Sequence, residues 1–256
     1  MTNHKASGLE FLYFLKLNNI QLMHDSVDIK STPKAKAIKK LGQIAEPVSL
    51  NNYDSSDIRK IVSDIHNLDD FIKAVNNFND CDLKSGALNT VISDGNPKAN
   101  IMLIGEAPGA EEDEKAIPFC GQSGALLDNM MKSIGLFRDV NIYITNIVFW
   151  RPPENRKPTS KEVEQCRPFL EKHIALIKPK LIIAVGSTAA TALIGKNFEI
   201  TKMRKQYFEY NNIYLDKPVE VTAIFHPAYL IRQSSQKKNA WYDLLAIKEY
   251  IEKLGV

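Results

Sequence analysis

Cysteine is scarce in this chain: Cys81, Cys120 and Cys166 are its 3 thiols, and they lie far apart. That spacing shows neither a disulfide framework nor a close-spaced zinc motif. Long apolar runs are missing as well. None approaches the roughly 18 residues that a membrane-spanning helix needs, and the polar start MTNHKASG has no signal-peptide character. A cytoplasmic protein is expected. Charge of one sign is also lacking, since 33 Lys and Arg against 30 Asp and Glu leave a formal +3. So small a balance does not by itself announce a nucleic-acid partner, although local basic clusters can still build a positive face. What remains is an ordinary globular composition, 44% hydrophobic and 25% charged, in a length that fits one large domain or one domain with a modest appendage.

The chain divides near residue 77. Residues 1–77 read as a helical extension and linker, with an apolar helix-like start (Leu9, Phe11, Leu12, Phe14, Leu15), a polar stretch near 27–55 and a second helical pattern over Ile58–Val75. Residues 78–256 alternate short apolar runs with amphipathic stretches. The pattern predicts strands at 100–104, 141–145, 181–185 and 219–225, and helices at 122–135, 160–177, 187–195 and 238–253. Such alternation implies a parallel sheet covered by helices on both faces, an α/β fold. The segment 206–215 reads as a small hairpin turning at Asn211-Asn212.

Ligands of open parallel sheets sit beyond the carboxyl ends of the strands, so the residues just after each strand carry the most information. After the first comes the loop Gly105-Glu-Ala-Pro-Gly109, running on through Pro118-Phe-Cys-Gly121. Glycine-bracketed loops of this kind usually cradle phosphate, yet this one carries Glu106. The second strand ends at Asn146, the third at Gly186-Ser-Thr, and the fourth at His226-Pro-Ala-Tyr-Leu-Ile-Arg232. Glutamate, asparagine and histidine thus converge on one edge, with Phe119 returning before the next helix. Singly, each has an ordinary explanation as a loop acid, core ring, turn residue or hydrogen-bonded histidine. Together they suggest a catalytic pocket for a planar, polar heterocycle.

On these residues the chain resembles the uracil-DNA glycosylase superfamily, in its family-four, phage DNA polymerase-related branch. The resemblance rests on Gly105-Glu-Ala-Pro-Gly109, Pro118-Phe-Cys-Gly121, Thr145-Asn146, Arg151-Pro-Pro-Glu-Asn-Arg156 and His226-Pro-Ala-Tyr-Leu-Ile-Arg232, in that order, between about Cys81 and Trp241. It implies a three-layer α/β/α fold around a four-stranded parallel sheet, and hydrolysis of the bond between uracil and deoxyribose in single- or double-stranded DNA by a monomeric enzyme. Under that reading Phe119 stacks on a flipped base and Asn146 reads its edge. His226 stabilises the departing anion, while Glu106 faces the sugar cation and orients water. Leu230, with Tyr229 beside it, stands where the superfamily inserts an apolar wedge. Arg232, Arg151, Arg156, Lys157, Lys237 and Lys238 are candidate phosphate contacts.

The chain departs from that family at two places. Family-four enzymes hold a four-iron, four-sulfur cluster on four cysteines, and the corresponding positions here are Phe78, Cys81, Trp150 and Cys166. With two ligands replaced by large aromatic residues, the cluster is expected to be absent, leaving Cys81 and Cys166 as buried thiols. The loop before Phe119 reads Ala116-Ile-Pro-Phe, without the arginine usual there. Two alternatives stay open on sequence alone: a non-catalytic nucleic-acid-binding or polymerase-associated module of the same fold, and a glycosylase of altered base range, for hypoxanthine or xanthine.

Overall fold

A computed structural model of the chain describes residues 56–195 and 199–256. The expected helix at Leu9–Leu15 and the polar stretch near 27–55 lie outside them. Strands β1 (Ser93–Gly95), β2 (Ile101–Gly105), β3 (Ile142–Asn146), β4 (Leu181–Val185), β5 (Phe208–Tyr210) and β6 (Val219–Ile224) form one sheet in the order β1-β3-β2-β4-β6-β5. The middle four are parallel. They coincide within a residue or so with the strands the apolar runs predict. The two short edge strands are antiparallel to their neighbours, and only β5 had a counterpart in the sequence pattern. Its partner differs from the expected one: 206–215 does not fold on itself, because Phe208–Tyr210 pairs with Val219–Val221 of β6. Asn212 instead accepts from the Tyr214 N–H and donates to the Glu171 carbonyl, so the turn chemistry serves a longer loop.

The central strands are buried along their whole length, because helices cover both faces. Period-two alternation divides their side chains. Met102, Ile104, Ile182, Ala184, Val221 and Ala223 face one core, against helices α1 (Ser56–Ser63), α2 (Leu68–Asn77), α6 (Ser160–Ile177) and α7 (Ser187–Ile194). Ile101, Leu103, Ile142, Ile144, Leu181 and Ile183 face the other, against α5 (Gln122–Lys132), α9 (Pro227–Arg232) and α10 (Lys237–Leu254). Two cores separated by one sheet are the three layers that the sequence implied. Short helices α3 (Asp82–Gly86), α4 (Ala110–Lys115) and α8 (Ile200–Met203) complete the described set. No described helix is long and apolar enough to cross a membrane.

The boundary placed at residue 77 does not divide the core. Ile58, Val62, Ile65, Phe71 and Val75 belong to the same apolar cluster as the sheet, so the described end of the extension is an integral part of the outer layer. Its anchor is aromatic. Phe71 stacks on the His173 ring at 4.3 Å between centroids and meets Phe149 and Phe169 edge-on. His173 is fully buried. Its Nε2 lies 2.9 Å from the Tyr143 hydroxyl, which itself donates to Ser93 at 2.7 Å. The Tyr143 hydroxyl thus bridges His173 and Ser93, and the His173 Nδ1 has no partner among the described residues.

Burial pulls the His173 pKa from 6.5 down to about 3. Between these values the unfolded chain takes up a proton that the folded protein refuses. Stability is therefore full above pH 6.5 and falls steadily as pH drops toward 3, by a few kcal/mol in order of magnitude. Urea titrations at pH 7 and pH 4.5 are expected to show that loss, with a shallower pH dependence in His173→Gln.

Candidate active site

The cavity at the carboxyl edge of the sheet encloses about 910 Å³ and is lined by Glu106, Phe119, Asn146, His226, Tyr229 and Arg232, among others. Each arrives for a local reason. Glu106 follows directly on β2, and Asn146 is the last residue of β3, in register with Gly105. His226 caps the N-terminus of α9 just past β6, with Pro227 at the first helical position. Phe119 closes the long loop before α5. These six expected site residues thus share one cavity.

Glycines permit the close approaches. A Cβ on Gly105 would overlap both the Asn146 Oδ1 and the Phe119 ring, so the ring lies directly over the end of β2. Gly186, at φ +96°, lets the chain pass His226, whose Cβ would stand 2.9 Å from an added methyl. Phe119 itself has φ +51°, a conformation costly for a bulky residue, of the order of 1–3 kcal/mol. Its ring is nonetheless almost fully buried and lies 5.9 Å from the His226 ring, tilted by 34°.

Two polar groups in the cavity are set for a ligand. The Asn146 side chain is 1% exposed, and its Oδ1 has no hydrogen-bond partner among the described residues. An orphaned buried acceptor costs about 1–3 kcal/mol unless a bound group satisfies it. The His226 Nδ1 accepts the Ala228 N–H at 3.1 Å, which leaves Nε2 to carry the proton of the neutral ring. Desolvation, with the Arg232 charge second, lowers its pKa to about 4, so the imidazole is neutral near pH 7. Glu106 is half-buried at the same rim.

Sequence reasoning missed the supports of this loop. Glu112 accepts the N–H of Gly109 and the N–H of Gly121 through its two oxygens, both at 3.1 Å. It joins the two arms that carry Glu106 and Phe119. The signal was present, because an acid three residues after a helix N-cap is half of a capping box. Asp113, 1% exposed, accepts from Leu88 and Asn89. Arg138 holds the carbonyls of Pro118 and Phe119, with no motif to mark it.

One expectation needs correction. Leu230 is completely buried among the apolar residues beneath the sheet, because helix α9 turns that position inward. It presents no surface for an apolar wedge, whereas Tyr229 lines the cavity. Arg156 lines the cavity and forms a bidentate pair with the buried Glu162 at 2.8 and 2.6 Å. Arg232 and Lys157 line the cavity as expected.

The four expected cluster positions gather in the other core of the sheet. Phe78, Cys81, Trp150 and Cys166 are all buried in one core. Phe78 packs on Phe169 at 5.0 Å and on Trp150 at 6.3 Å, and the Trp150 Nε1 donates to Thr90. A hydrogen bond between the two thiols holds Cys81 below its ordinary pKa and raises Cys166 well above it, with burial adding to the rise. A cubane cluster requires four thiolates, and two thiols walled by packed rings do not fit one. No group of three or more His, Cys, Asp or Glu able to hold a metal ion is found among the described residues.

Comparison with known proteins agrees with this geometry. Residues 92–247 match the family described as the Uracil DNA glycosylase superfamily. The chain belongs to that superfamily. Its relatives in this superfamily include the type-4 uracil-DNA glycosylase of Archaeoglobus fulgidus, 36% identical over 74% of this chain and 96% of the relative. The type-4 uracil-DNA glycosylase of Sulfurisphaera tokodaii is 38% identical over 66% of this chain and 78% of its own, and that of Thermotoga maritima 36% identical over 68% and 90%. The superfamily match spans every strand of the parallel core and every cavity residue named above.

Gly186 offers a direct check on how His226 is held. Gly186→Ala is expected to destabilise the protein by about 1–3 kcal/mol, from backbone strain and the clash with His226. It should also move the histidine toward solvent, so that its pKa rises from about 4 toward 6.5; NMR titration of the imidazole measures the shift.

Proposed function

We propose that the chain initiates base-excision repair by hydrolysing the bond between uracil and deoxyribose in DNA, using Glu106 and His226 for the chemistry and Phe119 and Asn146 to hold the base. The observation that carries this reading is the buried, unpartnered Asn146 Oδ1 beside the Phe119 ring. A uracil flipped out of the helix and stacked on Phe119 would offer its N3–H to that oxygen and its O4 to the amide N–H. Cytosine reverses donor and acceptor at those atoms and leaves both groups unsatisfied. Stacking contributes about 1–3 kcal/mol.

As the bond between C1′ and N1 breaks, its electron pair moves onto the base and the sugar becomes cation-like. The neutral His226 donates its Nε2–H to uracil O2, where the negative charge gathers. Its proton stays in place because the Ala228 N–H occupies Nδ1. The Glu106 carboxylate opposes the positive sugar, orients the water and takes the proton it sheds as its oxygen bonds to C1′, and that proton finally neutralises the released uracil anion. A phosphate-binding lysine at that position would repel the same cation. Arg232 and Lys157 at the cavity rim are suited to the DNA backbone, and Tyr229 replaces Leu230 as the apolar side chain facing the gap left by the base.

This reading includes a protein without the cluster, acting as a cytoplasmic monomer. The aromatic packing of Phe78 and Trp150 and the mutual hydrogen bond of Cys81 and Cys166 support the first of these points. Protein purified anaerobically is expected to be colourless and to lack stoichiometric iron. A brown protein with about four irons per chain would overturn that part of the reading.

The activity is tested with single- and double-stranded oligonucleotides carrying one uracil, one hypoxanthine or one thymine mismatch, followed by alkaline cleavage of abasic sites. Excision of uracil is expected. Glu106→Gln should lower the single-turnover rate about a hundredfold or more while uracil-DNA binding persists, since the lost charge acts on the transition state. Asn146→Asp should weaken uracil excision and relax the rejection of cytosine. A wild-type rate in Glu106→Gln would reduce the carboxylate to a loop acid.

A further inference from the structure

We infer that Arg138, on the loop after α5, is the positioning residue of the base-stacking platform, setting the Phe119 ring in the cavity through the main chain. The inference rests on the reading of Phe119 as that platform. Every N–H of the guanidinium is engaged. Nη1 donates to the Pro118 carbonyl and to the Asp94 carboxylate, both at 2.8 Å. Nη2 donates to the Phe119 carbonyl and to Asp128, both at 2.9 Å, and Nε donates to Asp128 at 3.3 Å. Five donors in a planar fork meet two carboxylates and two consecutive carbonyls. The carboxylates fix the guanidinium, and the guanidinium fixes the carbonyls.

The carbonyls matter because of the backbone between them. Phe119 holds a left-handed φ of +51°, which nothing in its own side chain favours. Its carbonyl lies against Gly124, where any Cβ would collide with it, and its ring lies against Gly105. Glycine opens the space on either side, and Arg138 supplies the attraction that selects this conformation. Asn96 donates to the Arg138 carbonyl at 3.1 Å, tying the clamp to the end of β1. Lysine, with three donors at a single point, cannot meet the same four acceptors.

The test compares the full chain with R138Q, R138K, F119A and F119A/R138Q, and with R59Q, which breaks the remote Arg59 pair with Glu171. R138Q is expected to lower kcat/KM on a single-stranded uracil oligonucleotide about tenfold or more, the size of a lost base stack. R138K should not restore it. In the F119A background the same substitution should cost less than about twofold, because the two act as one unit. R59Q should lower Tm and leave excision unchanged. Amide hydrogen exchange over residues 116–123 should rise in R138Q and R138K and stay at the wild-type level in R59Q. An equal loss with and without Phe119, rescue by lysine, or unchanged exchange in that segment would overturn the inference. Should wild-type protein fail to excise uracil, the functional reading falls, and the exchange measurement still decides whether Arg138 holds the loop.

Discussion

A parallel sheet buried on both faces leaves polar chemistry almost nowhere to stand. Side chains of β2, β3, β4 and β6 point into one apolar core or the other, where an ionised or unpaired group is costly. The ends of the strands are the exception, because the chain there leaves the sheet and its residues border the cavity. Gly105, Asn146, Gly186 and His226 all occupy that position. The cavity is therefore the place where a fully buried sheet can present functional groups, and its geometry inherits the rigidity of the strands.

Rigidity alone does not place a loop. Between Gly105 and Gly121 the chain makes a wide excursion that must return a ring over the strand it left. Glu112 closes the base of that excursion, and Arg138 grips its far limb. Both are charged groups acting on main-chain dipoles at partly buried sites, where such bonds are stronger than between neutral partners. Asp94 and Asp128 in turn keep the cation of Arg138 compensated.

The parallel strands and their helices were legible because each is a long apolar or amphipathic period. The buried run Ile101–Ile104 and the capping box of Thr159 and Glu162 mark their elements almost to the residue. The edge strands were harder. Ser93–Gly95 has no apolar content, and its pairing with Tyr143–Thr145 depends on tertiary neighbours alone. At the site, Glu106, Phe119, Asn146 and His226 were readable from their places after strands. Arg138 was not, since a solitary arginine after a helix carries no pattern. Leu230 misled for a physical reason: its position in the motif says which turn it occupies, but the burial of helix α9 decides which way that turn faces.

The aromatic packing around Phe78 and Trp150 has a consequence for how the molecule comes into being. Those rings bridge α2, α6 and the segment that follows β3 into one apolar mass. Every atom of that bridge is supplied by the ribosome. Under the cluster-free reading proposed above, the outer helical layer closes onto the sheet without waiting for an inorganic component to be assembled and delivered.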